Sequence, residues 1–409
     1  MRKSILIIDD QPQVLQTVHR YLQGMSAEWL VELTDNGKTA LQMMALKPFD
    51  VVVCDLVMPG LDGTQFLNEV QQTYPQTIRI IMCWQTERSL LQRLFGVAHQ
   101  YLFKPFDEST LINLLNGVLA RSQLVNDDKL AGLVSQLKNV PSMPQIYVDL
   151  VREMRSENAS LQRAGEIIAK DPGMTAKILQ LVNSAFFGHR SGVSSAEEAA
   201  VYLGIETIKS LVLSLQVFSF FTRSQIKTFN INQIWQHSMA TAMLAKRVCM
   251  SIDSDMQMAD EAFTAGLLHD LGKLVLAANL PVVYQEVLQM CKQQSLNLAD
   301  AERRKFTASH GEIGGFLLGL WGLPDSVIEA VSLHHNPGSA TNLVISPLTA
   351  VHVANALIHN PEQDVGSPPE LDFDYLANLG LAHFIPHWND LLAESQDSGQ
   401  VSDKEMCLA

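Results

Sequence analysis

An α/β domain with a doubly wound parallel sheet, followed by a larger all-α domain, is the fold class this sequence predicts. Three observations carry that expectation. The apolar runs Ile5-Leu6-Ile7-Ile8, Val51-Val52-Val53-Cys54 and Tyr101-Leu102-Phe103 end on Asp9-Asp10, Asp55 and Lys104-Pro105, as buried parallel strands do when charged residues open the loops beyond them. Helix-period faces such as Val14, Leu15, Val18, Tyr21 and Leu22 lie between the runs. Beyond about residue 121 strand-length runs no longer stand out, and long helical stripes punctuated by Pro and Gly replace them.

Five strand-helix units fit the spacing of residues 1–121, and a helix from about Asp107 to Arg121 closes that domain. Residues 122–132, including Asn126-Asp127-Asp128, read as a linker. Stripes such as Ile146, Leu150 and Met154, then Ile167 and Ile168, then Ile178, Leu179 and Val182, assign residues 133–395 to helices. The stretch from Glu394 to Ala409 is rich in Ser, Asp, Glu and Gln, and residues 396–409 are expected to form a disordered tail.

Composition bounds the function classes. A chain of 409 residues with 47% hydrophobic residues can build two or three cores. A net charge of −14 without a Lys/Arg-rich run argues against direct nucleic-acid binding, which needs cations to displace phosphate counterions. The five cysteines, Cys54, Cys83, Cys249, Cys291 and Cys407, are scattered and lack CxxC spacing. They fit a reducing cytoplasm better than a disulfide framework or a zinc knuckle. With no signal peptide ahead of the first strand and no apolar run of roughly 18 residues, a cytoplasmic chain without membrane insertion is expected.

The charges at the strand ends carry the first chemistry. Asp9 and Asp10 repel each other unless a cation lies between them, which asks for a metal. Ligands of open α/β sheets bind beyond the carboxyl ends of the strands, so Asp9, Asp10, Asp55 and Lys104 together read as a small phosphoryl-transfer site. The first three would hold Mg²⁺, Asp55 would take the phosphoryl group, and Lys104 would pair with a phosphate oxygen. Any one of these acids alone would read as an ordinary loop residue.

These residues, with the turn Met58-Pro59-Gly60-Leu61-Asp62-Gly63 and with Lys104-Pro105-Phe106, resemble the receiver domain of two-component response regulators across the first 120 residues. The resemblance implies a sensor histidine kinase as phosphodonor. It also marks one departure. Receivers usually carry Ser or Thr at the end of the fourth strand, where the hydroxyl bonds the phosphoryl group, but here Arg79-Ile80-Ile81-Met82 leads into Cys83. A thiol is a weak hydrogen-bonding group, so phosphorylation is expected to couple more weakly to the switch. Tyr101 matches the aromatic that such receivers swing inward; a plain strand aromatic is the alternative.

The helical region brings a second constellation. Of its histidines, His237, His269, His310, His334 and His335 form an ordered series with Asp270, and Leu267-Leu268-His269-Asp270-Leu271-Gly272-Lys273 sets two polar groups side by side in an apolar helix. Imidazoles and a carboxylate suit a divalent transition metal, whereas singly each histidine reads as a core group bonded to a carbonyl. The order resembles the HD superfamily of metal-dependent phosphohydrolases. It is most similar to the HDOD output domain, through Val140-Pro141-Ser142-Met143-Pro144, Ile168-Ala169-Lys170-Asp171-Pro172, Leu181-Val182-Asn183-Ser184-Ala185-Phe186-Phe187-Gly188, Tyr202-Leu203-Gly204 and Trp321-Gly322-Leu323-Pro324.

Two departures separate the chain from the enzymatic relatives. Asn336-Pro337-Gly338 follows His334-His335 where cyclic di-GMP phosphodiesterases have Gly-Tyr-Pro, and Asn355 stands where the closing Asp is expected. His352 and His359 lie near Asn355 in sequence and either could substitute as a ligand; a partly buried helix face is the commoner alternative. The favoured expectation is a response regulator whose non-catalytic HDOD domain acts through a downstream protein or a second copy of the chain. The alternative is a phosphorylation-gated metal phosphodiesterase acting on a cyclic dinucleotide.

Overall fold

The computed structural model describes residues 2–25, 28–74, 77–84, 97–124, 137, 140–141, 143–154, 156, 159–184, 187, 192–223, 226, 230–358 and 370–398. Most of the expected linker, His359 and residues 399–409 of the expected tail lie outside them. The chain divides into two compact units, Met1–Ser142 with Phe316–Leu323, and Met143–Gly315 with Pro324–Ala409.

In the first unit, β1 (Lys3–Ile8), β2 (Trp29–Thr34), β3 (Val51–Asp55), β4 (Ile78–Trp84) and β5 (Gln100–Lys104) form one sheet in the order β2-β1-β3-β4-β5. Every pairing is parallel. Helices α1 (Pro12–Leu22), α2 (Gly37–Leu46), α3 (Gly63–Thr73) and α4 (Glu108–Leu124) accompany the strands. Ile5 to Ile8 and Val51 to Cys54 are wholly buried, which explains runs without alternation, since a parallel sheet is covered on both faces. Ile5, Ile7, Val51, Val53, Ile80 and Met82 pack with Val18 and Leu22 of α1 and Leu111 and Leu115 of α4. The Asn36 and Asp62 side chains accept the Thr39 and Gln65 N–H groups and so start α2 and α3.

Register aligns the charged ends. Ile8 pairs with Cys54, Asp55 with Met82 and Trp84 with Lys104, so the acids, Cys83 and the lysine leave the sheet at one edge. The start of α3 presses against that edge. A Cβ on Gly63 would come within 2.1 Å of the Asp55 carbonyl oxygen, so only glycine allows the approach.

The second unit is helical. A first group comprises α5 (Gln145–Met154), α6 (Leu161–Ala169), α7 (Pro172–Val182), α8 (Ala196–Leu203) and α9 (Ile205–Arg223). Ser160, Asp171 and Ser195 cap α6, α7 and α8, and Pro172 occupies the first turn of α7. By length and composition Ile205–Thr222 of α9 is apolar enough to cross a membrane, and 61% of that window is buried inside the fold.

The second group is α10 (Ile231–Ile252), α11 (Met256–Leu268), α12 (Leu271–Asn279), α13 (Pro281–Gln294), α14 (Leu298–Phe306), α15 (His310–Leu320, of which Phe316 onward falls in the first unit), α16 (Asp325–Leu333), α17 (Pro347–Leu357), α18 (Phe373–Asn378) and α19 (Ile385–Ser398). Helices α10, α11 and α17 pack against one another, and α16 packs on α11 and α17. Helix α19 continues through Ser398, past the boundary that composition suggested. Its Trp388 is fully buried and donates to Ser251 Oγ at 3.0 Å, and Arg247 of α10 donates to the Leu391 carbonyl at 2.8 Å. Tertiary burial of one aromatic outweighs a polar local composition.

Candidate functional site

At the sheet edge of the first unit, Lys104 Nζ lies 2.6 Å from Asp9 Oδ2 and 2.7 Å from Asp55 Oδ1, with all three groups buried. Burial opposes the Lys104 charge, but the hydrogen bonds to Asp55 and Asp9 prevail and raise its pKa above the ordinary lysine value. The Gln11 N–H fixes Asp9 Oδ1 at 2.9 Å. Carboxylate oxygens of Asp9, Asp10 and Asp55 all lie within 4.8 Å of one another. Among the described residues, buried Asp10 Oδ1 finds no hydrogen-bond partner, a state that costs free energy unless a cation takes the lone pair. Three hard oxygen ligands with one orphaned oxygen fit Mg²⁺.

Cys83 is buried at the end of β4, one residue beyond Met82, the partner of Asp55, and one before Trp84, the partner of Lys104. The Trp84 ring stands 5.9 Å from Lys104 Nζ. Tyr101 is turned inward, 8% exposed and stacked with Phe103 at 6.5 Å.

In the second unit, helix ends converge. His237 projects from the first turns of α10, His269 and Asp270 lie in the junction of α11 and α12, His310 opens α15, His334 and His335 follow α16, and Asn355 lies on α17. His237 Nε2 is 3.2 Å from His269 Nε2 and 3.1 Å from Asn355 Oδ1. His335 Nε2 is 3.1 Å from His310 Nε2. Asp270 stands between the two groups, its Oδ1 3.4 Å from both His269 Nε2 and His310 Nε2. Two sets of ligand atoms each fall within 4.8 Å, His237 with His269 and Asp270, and His310 with His334 and His335. Gly272 permits the junction: a Cβ there would come within 1.9 Å of the His310 carbonyl oxygen.

Hydrogen bonds set the ring tautomers. His269 Nδ1 donates to the Gly266 carbonyl at 2.8 Å and His334 Nδ1 to the Val331 carbonyl at 2.7 Å, which leaves each Nε2 lone pair directed inward. Among the described residues, buried His334 Nε2 and Asp270 Oδ1 find no hydrogen-bond partner. Such atoms suit a divalent transition metal, which takes imidazole and carboxylate lone pairs together.

Electrostatics separates the members of the cluster. Burial dominates at His269 and takes its pKa to about 4, despite the adjacent Asp270. Burial, reinforced by neighbouring imidazoles, also holds His334 and His335 well below the ordinary value. At His310 burial opposes the charge but the Glu302 and Asp270 carboxylates raise its pKa. Asp270 is likewise opposed by burial, yet His269, the Lys273 ammonium and His310 hold it well below the usual carboxylate range. Lys273 Nζ is 2.7 Å from Asp270 Oδ2.

His352 stands apart from this set. Its Nδ1 donates to the His334 carbonyl at 2.8 Å and its Nε2 accepts the Asp372 N–H at 2.9 Å, so both ring nitrogens are engaged as a strut. Sequence reasoning missed Glu302 and Tyr284, both fully buried beside His310. Glu302 is flanked by Arg303, Arg304 and Lys305, a local pattern of a solvated helix face.

Comparison with known proteins follows the same division. The response regulator receiver domain family matches residues 5–116 and the HDOD domain family matches residues 140–337. An uncharacterized protein of Treponema pallidum is 23% identical over 228 residues, covering 56% of this chain and 44% of that protein. The transcriptional regulatory protein ZraR of Escherichia coli O157:H7 is 28% identical over 219 residues, covering 53% of this chain and 46% of its own length. The chain thus spans less than half the length of these curated relatives. A crystal structure of an HDOD domain protein of unknown function from Geobacter sulfurreducens superposes with a TM-score of 0.54 at 18% identity, over 72% of this chain and 99% of that one, which establishes a shared fold. The chain therefore contains an N-terminal response regulator receiver domain, residues 5–116, and a C-terminal HDOD domain, residues 140–337.

Proposed function

We propose that Asp55 accepts a phosphoryl group from a sensor histidine kinase and that this controls the HDOD domain, which acts through contacts with a downstream protein. The observation that carries the reading is Lys104 held between Asp9 and Asp55. The Asp55 carboxylate attacks phosphorus, the bond to the donor nitrogen breaks, and the imidazole leaves with the electron pair. Lys104 then exchanges a carboxylate partner for a phosphoryl oxygen. Asp9, Asp10 and Asp55 would hold Mg²⁺, which supplies charge neutralisation for the transferring group. Incubation with a small phosphodonor and Mg²⁺ is expected to add one phosphate, detected by intact mass, and Asp55→Asn to abolish the addition. Labelling that persists in that variant would overturn the assignment.

The HDOD cluster, in this reading, binds a divalent transition metal without hydrolysis. Asn355 offers a neutral amide where a carboxylate would add charge, and a 3-10 turn over Pro337–Ser339 takes the place of the Gly-Tyr-Pro segment. A second reading, a phosphodiesterase acting on a cyclic dinucleotide, is favoured by the position of Asp270 between two histidine groups. Cyclic di-GMP turnover that is lost in His269→Ala would select the second reading; metal binding without turnover would select the first.

A further inference from the structure

We infer that Glu302 is a positioning residue: braced by Tyr284, its carboxylate fixes His310 as the Nδ1–H tautomer and so aims the His310 Nε2 lone pair at the cluster. The inference rests on the reading that this cluster holds a metal. Glu302 Oε2 accepts two hydrogen bonds from His310, from the backbone N–H at 2.6 Å and from Nδ1 at 2.7 Å. The other oxygen, Oε1, accepts from the Tyr284 hydroxyl. Glu302, Tyr284 and His310 are all fully buried. Taking a carboxylate out of water is costly, and three convergent donors make this one tolerable.

The bond distinguishes His310 from His269 and His334, whose Nδ1 groups donate to neutral backbone carbonyls. A carboxylate partner makes the opposite ring nitrogen a stronger donor to a metal, and loss of such outer partners typically weakens metal affinity about 10–100-fold. His310 is therefore the ligand whose strength the fold has tuned, from residues 8 and 26 positions away in the chain. Tyr284 keeps the carboxylate from rotating away from the ring.

Two measurements on the full chain test this. Histidine ring ¹⁵N spectra of metal-free protein, recorded well above the ordinary imidazole pKa of ~6.5 and assigned with His310→Asn, should show His310 as the Nδ1–H tautomer. Glu302→Gln retains an amide oxygen and should keep that tautomer while lowering Zn²⁺ affinity about 10–100-fold, read by competition with a chromophoric chelator. Glu302→Leu should release the tautomer toward Nε2–H. Tyr284→Phe, which leaves the carboxylate in place, should lower Zn²⁺ affinity a few-fold and reports on the arrangement if the Glu302 variants do not fold. An Nε2–H tautomer in the wild type, or wild-type affinity in both Glu302→Gln and Tyr284→Phe, would overturn the role of Glu302. Wild-type protein that takes up no Zn²⁺ but shows the Nδ1–H tautomer would instead overturn the metal reading and leave the tautomer assignment standing.

Discussion

The two candidate centres solve opposite electrostatic problems. In the receiver, three carboxylates crowd one sheet edge and the protein supplies a counter-charge of its own, Lys104, within 2.7 Å of two of them. In the HDOD domain, five imidazoles gather around Asp270, whose Oδ2 pairs with Lys273, and among the described residues buried His334 Nε2 and Asp270 Oδ1 find no hydrogen-bond partner. A hard, exchangeable cation suits the first centre, because a lysine stands ready when the cation leaves. At the second, Lys273 pairs with Asp270 Oδ2 at 2.7 Å, but most of the ligands are imidazoles, for which an ammonium is no substitute, so a metal there should be more tightly held.

Metal retention offers the widest separation between the two centres. After exhaustive dialysis against buffer without added metal, the protein is expected to retain transition metal but no Mg²⁺, measured by elemental analysis. His334→Ala should reduce the retained transition metal by a factor of ~100 or more, exceeding the loss typical of an outer partner, while leaving phosphodonor labelling of Asp55 intact. Equal loss of both activities would show that the centres are not independent.

Acid should sharpen the contrast next. His269, His334 and His335 have depressed pKa values in the fold, so the unfolded chain binds protons that the native domain refuses. Stability is therefore lost as pH falls, for His269 between ~6.5 and about 4, by ~3 kcal/mol. His310, with a raised value, contributes in the opposite sense: its stabilisation is complete below the unfolded value and fades as pH rises through the folded one. Three groups thus act in the first sense and one in the second. Chelator-treated protein is expected to unfold at lower denaturant concentration at pH 5 than at pH 7, and an unchanged midpoint would count against neutral, buried imidazoles.

The smallest effect concerns the receiver switch. A hydrogen bond that Cys83 makes poorly to a buried phosphoryl oxygen is worth ~1–3 kcal/mol, against the ~5.5 kcal/mol that moves a two-state equilibrium almost completely. Cys83→Ser should enlarge the phosphorylation-dependent change in oligomer size or partner affinity. A response equal to or below wild type would contradict this account.

Legibility followed the range of the interactions. Asp9, Asp55 and Lys104 could be read because each ends an apolar run, and parallel pairing then aligns run ends without further information. The sequence treats Asp9 and Asp10 alike; the fold separates them, pinning Asp9 to Lys104 and Gln11 and leaving an Asp10 oxygen unbonded. The histidine order was visible, but its organisation was not, because tautomers depend on carbonyls and carboxylates brought in by other helices. Glu302 was hidden most completely. A glutamate beside Arg303, Arg304 and Lys305 reads as solvated, yet Glu302 is fully buried and bonded to Tyr284 of α13 and His310 of α15. The end of α19 was missed for the related reason that Trp388 anchors a polar helix from within.

The His352 strut has a practical corollary. The HDOD match ends at residue 337, yet His352 ties the His334 carbonyl to the Asp372 backbone, and Asn355 reaches His237 from still further along the chain. A fragment cut where the family likeness stops would lose one wall of the histidine chamber and the clamp on His334. Excision for biochemical work should therefore extend at least through α19, because in this chain the working unit outlasts the recognisable one.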